Sequence, residues 1–118
     1  MPTPEEQLIE QYFDAFNGHD VEGVVACFHE AIALVNPNGE RVEGIDAARL
    51  RYEQEFATMP DAHCDLRLAT GNDGRGVAES VFRATLTDGT AICAVGAEVI
   101  EFADGRIKEI RDYHHLAD

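Results

Sequence analysis

The sequence predicts an α+β fold in which three N-terminal helices cover one face of a curved antiparallel sheet. Three observations carry that prediction. Apolar residues recur at helical spacing in the first part of the chain. From Ala62 onward, runs of strand character are separated by short turns rich in glycine and aspartate. With 118 residues, 45% of them hydrophobic and 27% charged, the chain has the size and composition of one domain spanning 1–118. A domain of this length buries roughly 65% of the surface its unfolded chain exposes, so it needs neither disulfides nor a structural metal.

The first helix opens at Thr3-Pro4-Glu5-Glu6, a capping box with proline at the first helical position. Leu8, Ile9, Tyr12, Phe13 and Phe16 form its apolar stripe, and Asn17-Gly18 ends it. Asp20 caps a shorter helix carrying Val21, Val24, Val25, Cys27 and Phe28. Residues 31–35 read as a strand, and Pro37-Asn38-Gly39 turns the chain. Asp46, after Gly44-Ile45, caps a third helix whose apolar residues are Ala47, Leu50, Phe56 and Met59, and Pro60 stops it. Strands are expected over 62–70, 77–87, 91–102 and 106–115. Their connections at 71–76, Asp88-Gly89 and Asp104-Gly105 predict antiparallel hairpins.

Nine Lys and Arg against 23 Asp and Glu give a formal net charge of −14. A polyanion repels phosphate backbones and anionic lipid headgroups, so neither nucleic acid nor a membrane is an expected partner, and the acidity reads as a solvated surface. No apolar run approaches the ~20 residues of a membrane span, and the start lacks the basic and apolar regions of a signal peptide. Cys27, Cys64 and Cys93 are odd in number and far apart, which points to inert core thiols in a reducing, cytoplasmic setting. No cofactor or metal is expected. His29-Glu30 begins like a metalloprotease helix, but position 33 is Ala33. His114 and His115 are neighbours on one expected strand and would point to opposite faces. His19 and His63 read as surface or loop residues. The glycines of 71–76 lack the Gly-Lys-Ser/Thr ending of a phosphate loop and make a hairpin turn instead.

Period-two alternation puts Ile92, Ala94, Gly96, Glu98, Ile100 and Phe102 on one strand face, apolar apart from Glu98. On the last strand Lys108, Ile110, Asp112 and His114 share a face. Glu79, Val81, Arg83 and Thr85 share one on the strand between the hairpins.

Three segments resemble a known family. Gln11-Tyr12-Phe13-Asp14-Ala15-Phe16-Asn17-Gly18-His19-Asp20 is similar to its first-helix signature. Asn36-Pro37-Asn38-Gly39 resembles the first-strand turn, and Asp104-Gly105-Arg106-Ile107-Lys108-Glu109-Ile110-Arg111-Asp112-Tyr113 the final hairpin. Together they resemble the SnoaL-like and ketosteroid-isomerase-like families, within the cone-shaped superfamily of nuclear transport factor two and limonene-epoxide hydrolase. The resemblance implies an apolar pocket between the helices and the concave sheet face, and a homodimer through the opposite face. It matches Tyr12 to an oxyanion-hole tyrosine and Glu98 to a protonated carboxyl, kept neutral in ketosteroid isomerases by an apolar site. Asn36 stands where the isomerase base would be, and an amide cannot shuttle protons. Against limonene-epoxide hydrolase, Asp112 resembles a triad aspartate, Arg83 its arginine and Asn36 its water-positioning asparagine, while Thr85 replaces the second aspartate. Asp112 also resembles the proton-transfer aspartate of SnoaL-like cyclases.

The residues themselves leave alternatives open. Glu98 is an acid/base group raised by desolvation, or it pairs with Arg83 or sits at the rim. Asp112 is a proton carrier or, more simply, an ion-pair partner of Arg83. Tyr12 is also explained as a core aromatic and Asn36 as a turn residue. His114 is a base near neutrality or a solvated strand-end residue. The leading expectation is a cofactor-free enzyme transferring protons on a compact apolar carbonyl substrate, by isomerisation, cyclisation or dehydration. Glu98, Asp112 and Tyr12 would be catalytic, with Asn36, Arg83, His114 and Phe16 binding or orienting. The alternatives are a non-catalytic homodimeric binder of a small apolar ligand, and a dimerisation module whose cavity is filled by Phe16 and Phe56.

Overall fold

A computed structural model describes residues 1–117. Its elements are α1 (Pro4–Asn17), α2 (Val21–Ala26), β1 (Phe28–Val35), β2 (Arg41–Glu43), α3 (Ile45–Thr58), β3 (His63–Asn72), β4 (Arg75–Thr85), β5 (Ala91–Ala103), β6 (Arg106–Asp112) and β7 (His115–Leu116). The sheet runs β2-β1-β6-β5-β4-β3, with β7 also paired to β5. The predicted layering of helices on a curved sheet is the one observed. All strand pairs are antiparallel except β1 with β6, which run parallel because the chain returns to β1 only after the whole β3–β5 meander.

The predicted capping box is formed: Glu6 N–H donates to the Thr3 hydroxyl, and Thr3 N–H to the Glu6 carboxylate, each at 3.1 Å. The same residues tie α1 to the β3–β4 hairpin. Thr3 Oγ1 donates to the Gly71 carbonyl at 2.7 Å, and the Gly71 and Gly74 N–H groups donate to Glu6 and Glu5. At the other end, the Asn17 amide donates to the Cys64 carbonyl at 2.8 Å and accepts from the Cys64 N–H at 2.7 Å. Bound at both ends, α1 buries Ile9, Tyr12, Phe13 and Phe16 against the sheet.

Several expected boundaries move. Gly44, at φ 93°, is the N-cap of α3, which needs a left-handed residue where β2 turns into the helix. Asp46 lies in its first turn and pairs with Arg49 at 3.3 Å. The buried stripe is Ala48, Tyr52 and Phe56, rotated from the expected Ala47–Leu50 face, and Leu50 is 55% exposed. β1 begins at Phe28, which pairs with Ile107 across a bulge, and a three-residue edge strand, β2, that the sequence pattern does not predict pairs with its end. Residues 28–35 being strand, His29-Glu30 has no helical spacing to offer a metal.

The expected last strand is broken. β6 stops at Asp112, the chain steps past β5 at Tyr113-His114, and β7 resumes pairing at Val95↔His115 and Ala94↔Leu116. Gly96 makes the step possible: a Cβ there would lie 2.6 Å from the Tyr113 carbonyl oxygen and 2.7 Å from the His114 Cα.

Register assigns the two sheet faces. Ala78↔Glu98, Ser80↔Gly96, Phe82↔Ala94 and Glu98↔Asp112 lie on the helix-facing side. Val77, Val81, Cys93, Val95, Ala97 and Val99 lie on the other, half-buried, with Tyr113 58% exposed beside them.

Candidate functional site

Between α1, α3 and the concave side of β3–β5 lies a cavity of about 300 Å³. That is enough for a small ring compound, and it rules out the reading in which Phe16 and Phe56 fill the interior. Its walls are largely apolar, from Phe13, Phe16, Phe82, Ile92 and Ala94. The period of α1 places Tyr12 and Phe16 one turn apart on its buried stripe, and that of α3 places Tyr52 opposite them.

The Tyr12 and Tyr52 hydroxyls are 2.6 Å apart. One donates to the other, which leaves one O–H to donate elsewhere. Burial holds both phenols well above their ordinary range, so both stay protonated.

Glu98 extends from β5 into this chamber beside its cross-strand neighbour Asp112. Burial, followed by the Asp112 charge, pushes its carboxyl up to about 8, with His114 and Arg51 pulling the other way. Asp112 is taken up by His114: its Oδ1 accepts from the His114 backbone N–H at 2.9 Å and from Nδ1 at 2.6 Å. That contact is the main cause raising the His114 pKa, against partial burial. On its far side, His114 Nε2 lies 2.9 Å from the Ser80 hydroxyl and 3.2 Å from the Ser80 carbonyl. The Ser80 hydroxyl donates to a neutral ring, and both oxygens accept from a protonated one, so either charge state is satisfied. The Cys64 thiol donates to the same hydroxyl at 3.2 Å, and burial pushes it up to about 12, so it is an inert core thiol.

Of the expected site residues, Glu98, Asp112, Tyr12, His114 and Phe16 meet at this cavity. Arg83 does not. It is exposed on the opposite face, since β4 alternates and Ser80 and Phe82 take the inner positions, so neither carboxyl pairs with it. Asn36 does not line the cavity either. Its backbone closes the β1–β2 turn, accepting from Gly39 N–H and donating to Glu40 O at 2.8 Å each, while Pro37 reaches the rim. Thr85 bonds to Asp61 through its N–H and hydroxyl. His115 touches the rim of the cavity, but its register opposite Val95 keeps it on the other face from His114, as the alternation predicts. Sequence reasoning missed the α3 contribution of Arg51, Tyr52 and Glu55. The signal was there as Ala48-Tyr52-Phe56 at four-residue spacing with Arg51 and Glu55 alongside. Burial raises the Glu55 carboxyl. Among the described residues, no group of three or more His, Cys, Asp or Glu side chains is placed to hold a metal.

A sequence profile of the SnoaL-like domain matches residues 9–110. The chain belongs to the SnoaL-like family. No curated relative matches it. Solved structures of the same fold include an NTF2-like protein of Burkholderia pseudomallei, 18% identical, with a TM-score of 0.83 over 98% of this chain and 92% of that one. A candidate polyketide cyclase of Xanthomonas campestris pv. campestris is 24% identical, with a TM-score of 0.80 over 92% and 87% of the two chains. The LEH-like epoxide hydrolase of M. tuberculosis is 17% identical, with a TM-score of 0.85 over 97% and 84%. At such identities the likeness is one of fold, and the activity of this SnoaL-like domain has to be argued from its own cavity. No helix among the described residues is long and apolar enough to cross a membrane.

Proposed function

We propose that this SnoaL-like domain is a cofactor-free enzyme that moves protons on a small carbonyl substrate, by isomerisation, cyclisation or dehydration. The observation that carries the reading is Glu98, an acid held up to about 8 in a largely apolar chamber beside the Asp112–His114 pair. Two carboxyl groups side by side in unlike environments divide the work of acid and base. Glu98, protonated near neutrality, donates to the substrate carbonyl oxygen as the C–H bond α to it breaks. Asp112 takes that proton, and His114 steadies the carboxylate through Nδ1–H. The spare Tyr12/Tyr52 O–H adds a second donor to the enol oxygen. Return of the proton from Asp112 to a different carbon gives an isomer; its delivery instead to a β-hydroxyl lets that group leave as water, the enol proton going back to Glu98 as the carbonyl re-forms.

The test is deuterium incorporation at the α-carbon of simple ketones in D₂O, followed by NMR. Catalysed exchange that falls by two orders of magnitude or more in Glu98→Gln supports the reading, in line with the ~10²–10⁴ contribution of a positioned acid or base. Exchange no faster than buffer ends it. A second reading, a non-catalytic binder, is favoured by the hold of His114 on Asp112, whose Oδ1 already accepts two hydrogen bonds from it. Ligand binding without exchange in wild type, Glu98→Gln and Asp112→Asn would select it.

We also propose that two copies pair through the half-buried valine face of β4 and β5, which no helix among the described residues covers.

A further inference from the structure

The charges around the cavity do not all cancel within the protein. Asp112 is partnered by His114 at 2.6 Å. Glu98 is biased toward its uncharged acid by burial and by Asp112. Arg51, on α3, is different. Its Nη1 is buried and has no hydrogen-bond partner among the described residues. No carboxylate among them lies within ion-pair distance of it, although Glu55 stands one helical turn away on the same wall. Its charge reaches Tyr52, Glu55 and Glu98 through the chamber.

A buried guanidinium N–H without an acceptor is costly, and a guanidinium cannot shed its proton to escape the cost. The other eight Lys and Arg side chains serve a surface that carries net negative charge. Arg51 instead lines an apolar cavity of about 300 Å³. Its planar fork of donors matches the two oxygens of a carboxylate, and such charge-assisted pairs are stronger where water is excluded.

We propose that Arg51 is the anchor for an anionic oxygen group, a carboxylate, on the ligand of this cavity, so that the substrate is a small, mostly apolar carbonyl acid with its charged end at α3. This rests on the acid–base reading for what happens to the carbonyl, and it stands apart from that reading for what holds the acid. The arrangement gives the ligand one orientation: carboxylate against Arg51, apolar body among Phe16, Phe82 and Ile92, reacting carbon toward Glu98 and Asp112.

Benzoate and its uncharged analogue benzamide, titrated calorimetrically into wild type, Arg51→Gln and Arg51→Lys, test the anchor. Benzoate should bind wild type at least tenfold more tightly than benzamide does, and lose at least tenfold on Arg51→Gln. Arg51→Lys should recover part of that loss, because the charge returns without the fork. Benzamide should bind wild type and Arg51→Gln alike, which also shows that the variant is folded. Equal binding of the two compounds by wild type, benzoate binding indifferent to Arg51→Gln, or no benzoate binding by wild type would each overturn the anchor. Exchange of an uncharged ketone by wild type separates the two claims. Exchange together with Arg51-independent benzoate binding removes the anchor alone. Arg51-dependent benzoate binding without exchange removes the acid–base reading and leaves the anchor standing.

Discussion

Glu98 couples the chemistry of the cavity to pH. Its pKa is raised from an ordinary 4.5 to about 8, so the folded protein keeps a proton that the unfolded chain releases across that interval. The stability this group contributes is complete below about pH 4.5, declines as pH rises to about 8, and changes no further above it. His114, whose pKa is also raised, adds in the same direction: its contribution is full below its ordinary 6.5 and is lost as pH rises through the raised value. Thermal melting of wild type and Glu98→Gln between pH 5 and pH 9 is expected to diverge, with wild type losing Tm relative to the variant as pH increases. Parallel curves would mean that Glu98 titrates normally. Neighbour substitutions should move the Glu98 titration with opposite signs. Asp112→Asn removes the charge that raises it and shifts it below about 8, whereas His114→Gln removes a charge that lowers it and shifts it upward. Carboxyl NMR titration reads both shifts, and if Glu98 acts as the acid, the alkaline limb of the exchange profile should follow them.

At the scale of elements, the site depends on two joints remote from the chemistry. One is the Asn17 amide, which both donates to and accepts from the Cys64 backbone and so fixes the distance between α1 and β3. Asn17→Ala leaves both backbone groups of a buried residue unpaired and should cost about 2–3 kcal/mol in urea unfolding. A loss under 0.5 kcal/mol would show that the clamp is replaceable. The other is Gly96, where the chain crosses between β6 and β7. Gly96→Ala requires the Tyr113–His114 backbone to shift. The expected result is a loss of about 1–3 kcal/mol from overpacking, together with displacement of His114 seen in its ring proton shifts. The elements themselves were largely legible in the sequence. The capping box, the stripe of α1 and the turns at Asp73-Gly74, Asp88-Gly89 and Asp104-Gly105 are local features, decided within a few residues. The breaks after Asp112 and at Phe28 were not legible, because each is set by register with a strand far away in the chain.

For the molecule as a whole, the −14 charge and the valine face make opposite demands. Association through Val81, Val95 and Val99 brings two strongly acidic chains together, so the dimer should tighten as salt screens their repulsion. Sedimentation velocity at low and at physiological ionic strength is expected to show more dimer in the latter. Val95→Glu, on the register pair Val81↔Val95, should yield a monomer. An unchanged sedimentation coefficient in that variant would place the interface elsewhere.

What the sequence determined by itself is the architecture and one partly formed site: helices before strands, an acid alone on an apolar strand face, Tyr12 and Phe16 on one helix stripe, and Asp112 and His114 on one face of the last strand. Periodicity states which residues share a face, and that information is local. Only the tertiary structure decided which face each strand turns to the helices. It put Arg83 outside, left Asn36 in its turn, and brought Arg51, Tyr52 and Glu55 across from α3. It also gave Asp112 to His114 rather than to an arginine. Those outcomes come from packing between distant segments, where the side chain that reaches a carboxylate is chosen by register and by the room one glycine leaves for a crossing chain.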